Sequence, residues 1–122
     1  MFRKSIFDNW NKEIYIAKKL RVELDDYGNE INIYDTPQKY VFNVQPLSGY
    51  NDITTYGEKV SKMYKAVIDS KYLGQFSEGD VAYLEGKTPL SEPKNGYNAN
   101  YIIDSVRFQN LTIAIYFNKL QQ

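Results

Sequence analysis

In LTIAIYF, near the end of the chain, Leu111, Ile113, Ile115 and Phe117 occupy every second position. A two-residue apolar period puts one face of an extended strand against a core. The same period runs through Ile14, Ile16, Leu20, Val22 and Leu24, broken only by Lys18. It resumes at Ile31 and Ile33, and again at Tyr40, Phe42 and Val44. These runs are bounded by turn chemistry. Asp25, Asp26, Gly28 and Asn29 predict a hairpin in LDDYGNEINIY, with Gly28 at the position of positive φ. Thr36-Pro37 ends the second run of that hairpin, and Pro46 stops YVFNV. In FSEGDVAYLEG, Gly79 and Asp80 form a turn that delivers VAYL into a strand ended by Gly86. Gln109-Asn110 separates YIIDSV from the final strand. Six or seven short strands with mostly tight connections describe an all-β sandwich or barrel.

Three segments depart from this pattern. Phe2, Ile6 and Trp10 recur at spacing four and predict a short helix over Arg3 to Trp10. In GEKVSKMYKAVIDSKY, Val60, Met63, Tyr64, Val67 and Ile68 fit a helical stripe better than either strand parity. Local pattern therefore favours helix there, against strand neighbours on both sides that often override it. Finally, 46–59 and 86–101 are long polar connections, each with two glycines. Loops of that length in a compact domain are often functional, and both are expected on the surface.

Composition narrows the function. The chain of 122 residues suits one domain, 1–122, with 1–12 as an arm. Lys+Arg 15 against Asp+Glu 15 gives zero formal charge, which removes the simplest basis for free-standing nucleic-acid binding. Met1 to Leu24 is locally basic, with six Lys/Arg against three Asp/Glu. There is no histidine and no cysteine, so the commonest acid-base and nucleophilic groups are missing and no disulfide can form. Carboxylate pairs such as Asp80 with Glu85, or Asp69 with Glu78, arise by chance among fifteen acidic residues. Asp25, Asp26 and Glu30 lack calcium-loop spacing. We expect a non-enzyme without cofactor or metal, with no membrane partner and no signal peptide. The 12 Tyr, 6 Phe and 1 Trp suit half-buried strands and subunit interfaces.

The order of features is informative. A turn bearing YGNEI is followed by the strand YVFNV, a long polar loop and YGEKVSKMYKAVI. Then come GQFSEGDVAYLEG, NANYIIDSV and a terminal apolar strand. This order resembles the head-closure, or stopper, proteins of the head-to-tail connector in tailed bacteriophages of Gram-positive hosts, over about Glu13 to Leu120. The resemblance implies a small β-barrel with long inserted loops, in which Met63 to Asp69 is a strand. It implies a homo-oligomeric ring in the virion neck, assembled in the host cytoplasm and joining portal and adaptor proteins to tail-side proteins. Tail-completion or adaptor protein of the same neck is the adjacent reading, and an OB-type nucleic-acid module the distant one. The latter requires aromatics in phase with basic residues, for which Tyr64 beside Lys62 and Lys65 is the candidate.

In the family a loop between early strands reaches the channel and helps retain packaged double-stranded DNA without sequence specificity. By position it is 46–59 here, with Ser48, Gly49, Tyr50, Asn51, Asp52, Ile53, Thr54, Thr55 and Tyr56 as channel candidates. Lys59 stands against Asp52 and Glu58, so a plug there would act sterically, through Tyr50, Ile53 and Tyr56 meeting their ring copies. Ring contacts are expected at Arg3, Lys4 and Trp10 of the arm and at Tyr97 and Tyr101. Deleting Ser48 to Thr55 should leave the chain folded while virions lose packaged DNA, scored by the DNA content of purified particles. Unchanged retention removes the gating role and leaves the connector role standing.

Overall fold

A computed structural model describes residues 11–47, 63–90 and 94–120. The helix expected over Arg3 to Trp10, the arm residues Arg3, Lys4 and Trp10, and the channel candidates Ser48 to Tyr56 lie outside the described residues. Eight strands follow in chain order: β1 (Asn11–Ala17), β2 (Lys19–Leu24), β3 (Glu30–Tyr34), β4 (Gln38–Pro46), β5 (Met63–Asp69), β6 (Val81–Tyr83), β7 (Tyr101–Gln109) and β8 (Thr112–Lys119). Six of them close into an antiparallel barrel in the order β1-β4-β5-β8-β7-β6, and β1 pairs back onto β6 through Ile16 opposite Ala82. β2 and β3 form a separate two-stranded sheet.

The alternating residues do fill the barrel. Ile14, Ile16, Phe42, Val44, Ile113, Ile115 and Phe117 are all buried in one core cluster. At one end a 3-10 turn, Ser70–Tyr72, swings Tyr72 and Phe76 over the opening. Their rings meet Phe42 edge-on at centroid distances of 5.3 and 5.9 Å, and Tyr40 stacks on Phe42 at 5.1 Å. Gln75 Nε2 donates to the Tyr40 hydroxyl at 2.9 Å, so that polar tip in the aromatic plug has a partner.

Several expectations are corrected. Met63–Asp69 is strand, as the resemblance implied and contrary to the local helical stripe. Tyr64, Ala66 and Ile68 belong to or pack on the core, while Met63 on the opposite face is buried beside Leu47, Ala114 and Tyr116. Apolar burial on both faces erases the two-residue period and leaves a stripe that reads as helix. The run from Ile14 to Leu24 is two strands broken at Lys18. Ile14 and Ile16 are 1% exposed, whereas Leu20, Val22 and Leu24 are 53%, 47% and 68% exposed because β2 leaves the barrel. Leu111 is not on the buried face but is exposed in the turn with Asn110, whose φ is 54°. The connection after Gly86 is not wholly at the surface either. Ala99 is buried with Ala17, Val81 and Tyr83, and Asn100 bridges the Leu84 amide (3.0 Å) and carbonyl (2.9 Å).

Asp80 explains the Gly79-Asp80 turn. It is 2% exposed, and its carboxylate accepts the Lys19 amide at 2.9 Å and the Ser77 amide at 3.0 Å. Its own carbonyl accepts from the Ile103 amide at 2.8 Å, while the Gly79 amide donates to the Ile103 carbonyl at 3.1 Å. One side chain thus fastens the root of the β2–β3 hairpin to the turn leading into β6. Asp80→Ala would strand two partly buried amides and should cost about 3 kcal/mol, measured by denaturant unfolding. A loss under about 1 kcal/mol would show that water replaces the carboxylate.

Candidate functional site

Two features of the described chain are not accounted for by core formation alone. The first is the barrel mouth opposite the aromatic plug. Leu84 to Lys87 form a tight turn in which Glu85 (φ 61°) and Gly86 (φ 78°) are both left-handed, and the Lys87 amide donates to the Leu84 carbonyl at 3.2 Å. A glutamate in that conformation costs about 1 kcal/mol, and two phenols hold it there. The Tyr101 hydroxyl donates to Glu85 Oε1 at 2.5 Å and the Tyr64 hydroxyl to the same oxygen at 3.2 Å. The two rings meet edge-on at 5.5 Å. Beside this network opens a cleft of about 600 Å³, walled by β1, β4 and the 84–88 turn, with Lys12 and Lys87 on its lining.

The second feature is the β2–β3 hairpin. Cross-strand partners share a face, so Arg21 and Glu23 lie with Ile33 and Ile31, and Val22 and Leu24 with Asn32 and Glu30. Arg21 Nε and Glu23 Oε1 pair at 2.7 Å on the surface. The turn is held by Asp25, whose carboxylate accepts the Asn29 amide at 2.8 Å and the Tyr27 amide at 2.9 Å; Gly28 has φ 83° as expected. On the β3 side a cleft of about 480 Å³ separates Ile31 and Tyr34 from Lys94 to Tyr97. On the β2 side Leu20, Val22, Leu24 and Tyr27 are uncovered.

The sequence candidates fall out as follows. Tyr97 is 56% exposed at the edge of the β3 cleft, where a second chain can reach it. Tyr101, expected at an interface, is instead a core residue, 1% exposed and bound to Glu85, and offers no surface to another chain. The pairs Asp80 with Glu85 and Asp69 with Glu78 are not brought together by a hydrogen-bond network. Asp80 clamps backbone, Glu85 holds two phenols, and Asp69 caps the 3-10 turn through the Lys71 amide. Among the described residues, no group of three or more acidic side chains is placed to hold a metal. Tyr64 is turned to the mouth, and Lys65 lies instead against Tyr116, so the two do not form a stacking platform. Sequence reasoning missed Glu85 and Tyr64 as partners. Only Gly86, which takes a left-handed position without steric cost, signalled a turn there.

Comparison of the chain with protein-family models, with curated proteins and with solved structures gives no match. The site is therefore read from its geometry.

That geometry has a consequence at alkaline pH. Burial, then the Glu85 carboxylate, push the Tyr101 and Tyr64 phenols above their ordinary value of 10; burial does the same to Tyr83 and Tyr34. A phenol whose folded pKa is raised contributes stability that is complete below the unfolded value and is lost as pH rises through the folded one. Denaturant stability should therefore be flat up to about pH 9 and fall above 10, tracked with tyrosinate absorbance. In Tyr101→Phe that fall should be shallower. An identical alkaline slope in the variant would contradict the Tyr101–Glu85 coupling.

Proposed function

We propose that the chain is a structural component of the neck of a tailed bacteriophage, of head-closure type, working as a ring that joins the portal and adaptor side to the tail and helps keep packaged DNA in the head. The observation that carries this reading is the shape of the chain: a closed six-stranded barrel from which a two-stranded hairpin projects with Leu20, Val22 and Leu24 uncovered. A ring subunit needs two unlike, complementary patches, one reaching forward and one receiving. A projecting hairpin on a rigid barrel supplies the first. The order of sequence features supports the same family, with the strand at Met63–Asp69 as its resemblance implied.

Function in such a ring is mechanical. The barrel is the fixed body, each subunit adds one hairpin contact, and the segment 46–59 joins β4 to β5 where the resemblance places the channel loop. An adaptor or tail-completion subunit would use the same parts against different neighbours.

Cryo-electron microscopy of particles carrying the chain provides the test. Density for this barrel repeated around the axis beneath the portal is expected. A ring at the tail end of the neck would favour the tail-completion role, and absence of the chain from purified virions would end the neck reading altogether.

A further inference from the structure

The hairpin raises the question of what it touches. Two strands alone are marginally stable in water, and this pair keeps one side open. From Arg21 to Glu30 the hairpin carries one cation, already paired with Glu23, against four carboxylates, Glu23, Asp25, Asp26 and Glu30. It therefore offers an apolar side with an acidic tip.

A surface of opposite character lies on the barrel. On the outward face of β5, β8 and β7, Lys65 is opposite Tyr116, and Arg107 is opposite Ala114. Lys65 Nζ lies 5.5 Å and Arg107 Cζ 5.4 Å from the Tyr116 ring centre. The ring is 4% exposed and holds both cations at one place. Among the described residues, neither cation is ion-paired. Val67 and Val41 add exposed apolar area on the same outward side, 45% and 62% exposed, with Asp69 at one end of β5. Basic residues beside exposed valines match the hairpin in both charge and apolar character.

Resting on the ring reading above, we propose that the β2–β3 hairpin of one copy docks on the β4–β5–β8–β7 face of the next, Asp26 and Glu30 meeting Lys65 and Arg107 while Leu20, Val22 and Leu24 cover Val67 of β5 and Val41 of β4. The occupant is a second copy of this chain. The contact is heterologous, so each subunit uses both patches and the series closes by rotation.

Because the sequence contains no cysteine, any introduced thiol is unique. Purified full-length Asp26→Cys and Arg107→Cys variants, each checked for native circular dichroism, are treated with a short bismaleimide at high protein concentration, separately and mixed. The mixture should give a cross-linked dimer at least about tenfold above either variant alone. Cross-linking of Asp26→Cys with itself would mean hairpins meet each other and overturn the proposal. So would a mixed yield no greater than with Leu73→Cys in place of Arg107→Cys.

Charge reversal gives an independent readout in the wild-type background. Asp26→Lys with Glu30→Lys, and separately Lys65→Glu with Arg107→Glu, should each weaken self-association in sedimentation by about tenfold or more, and mixing the two should restore it. Failure of the mixture to recover overturns the pairing. A repeated ring in particles with neither cross-link nor rescue rejects this contact alone, whereas absence from particles rejects the neck reading.

Discussion

Closing six strands on themselves is the constraint on which everything else in this protein depends. Once β1 pairs with both β4 and β6, every barrel strand has a hydrogen-bonded neighbour on each side, although β6 spans only three residues of the seam. The β2–β3 hairpin is the described sheet that stays outside the closure. The hairpin is therefore chemically unlike the rest of the molecule, because its hydrogen-bonding capacity and its apolar side chains remain available outside the fold.

Polar side chains are used sparingly and at the seams. Asp80 joins the hairpin root to the barrel, Glu85 holds the mouth turn under two phenols, and Asn100 ties the long connection to Leu84. Asp80 is buried and Asn100 half-buried, each with its partners in place, so their burial is compensated instead of penalised.

The strands that bury one face were legible in the sequence, because β4 and the first half of the Ile14 run show an uninterrupted two-residue period; β8 keeps that period although Ala114 and Tyr116 are buried on its other face. β5 was not, because Met63 and Tyr64 are both sequestered on opposite faces. Nor was β6 as a period, since Val81, Ala82 and Tyr83 are all buried. Parity also cannot tell a strand inside a barrel from one that has left it. Leu20, Val22 and Leu24 keep the phase of Ile14 and Ile16 yet face water, and only Lys18 marks the break. The mouth was less legible still. Tyr64, Glu85 and Tyr101 are distant in sequence, and their meeting depends on the register of three different segments. The cation pair around Tyr116 likewise needs β5, β8 and β7 side by side.

The Asp80 bond to the Lys19 amide spans 61 positions of chain. Contacts so far apart form late in folding, after the closure entropy between them has been met by nearer pairings. The hairpin can form early from local sequence, but its direction is set only when the turn before β6 arrives. A growing or half-folded chain therefore carries a hairpin with no fixed aim. Completion of the fold is thus the step that aims the hairpin.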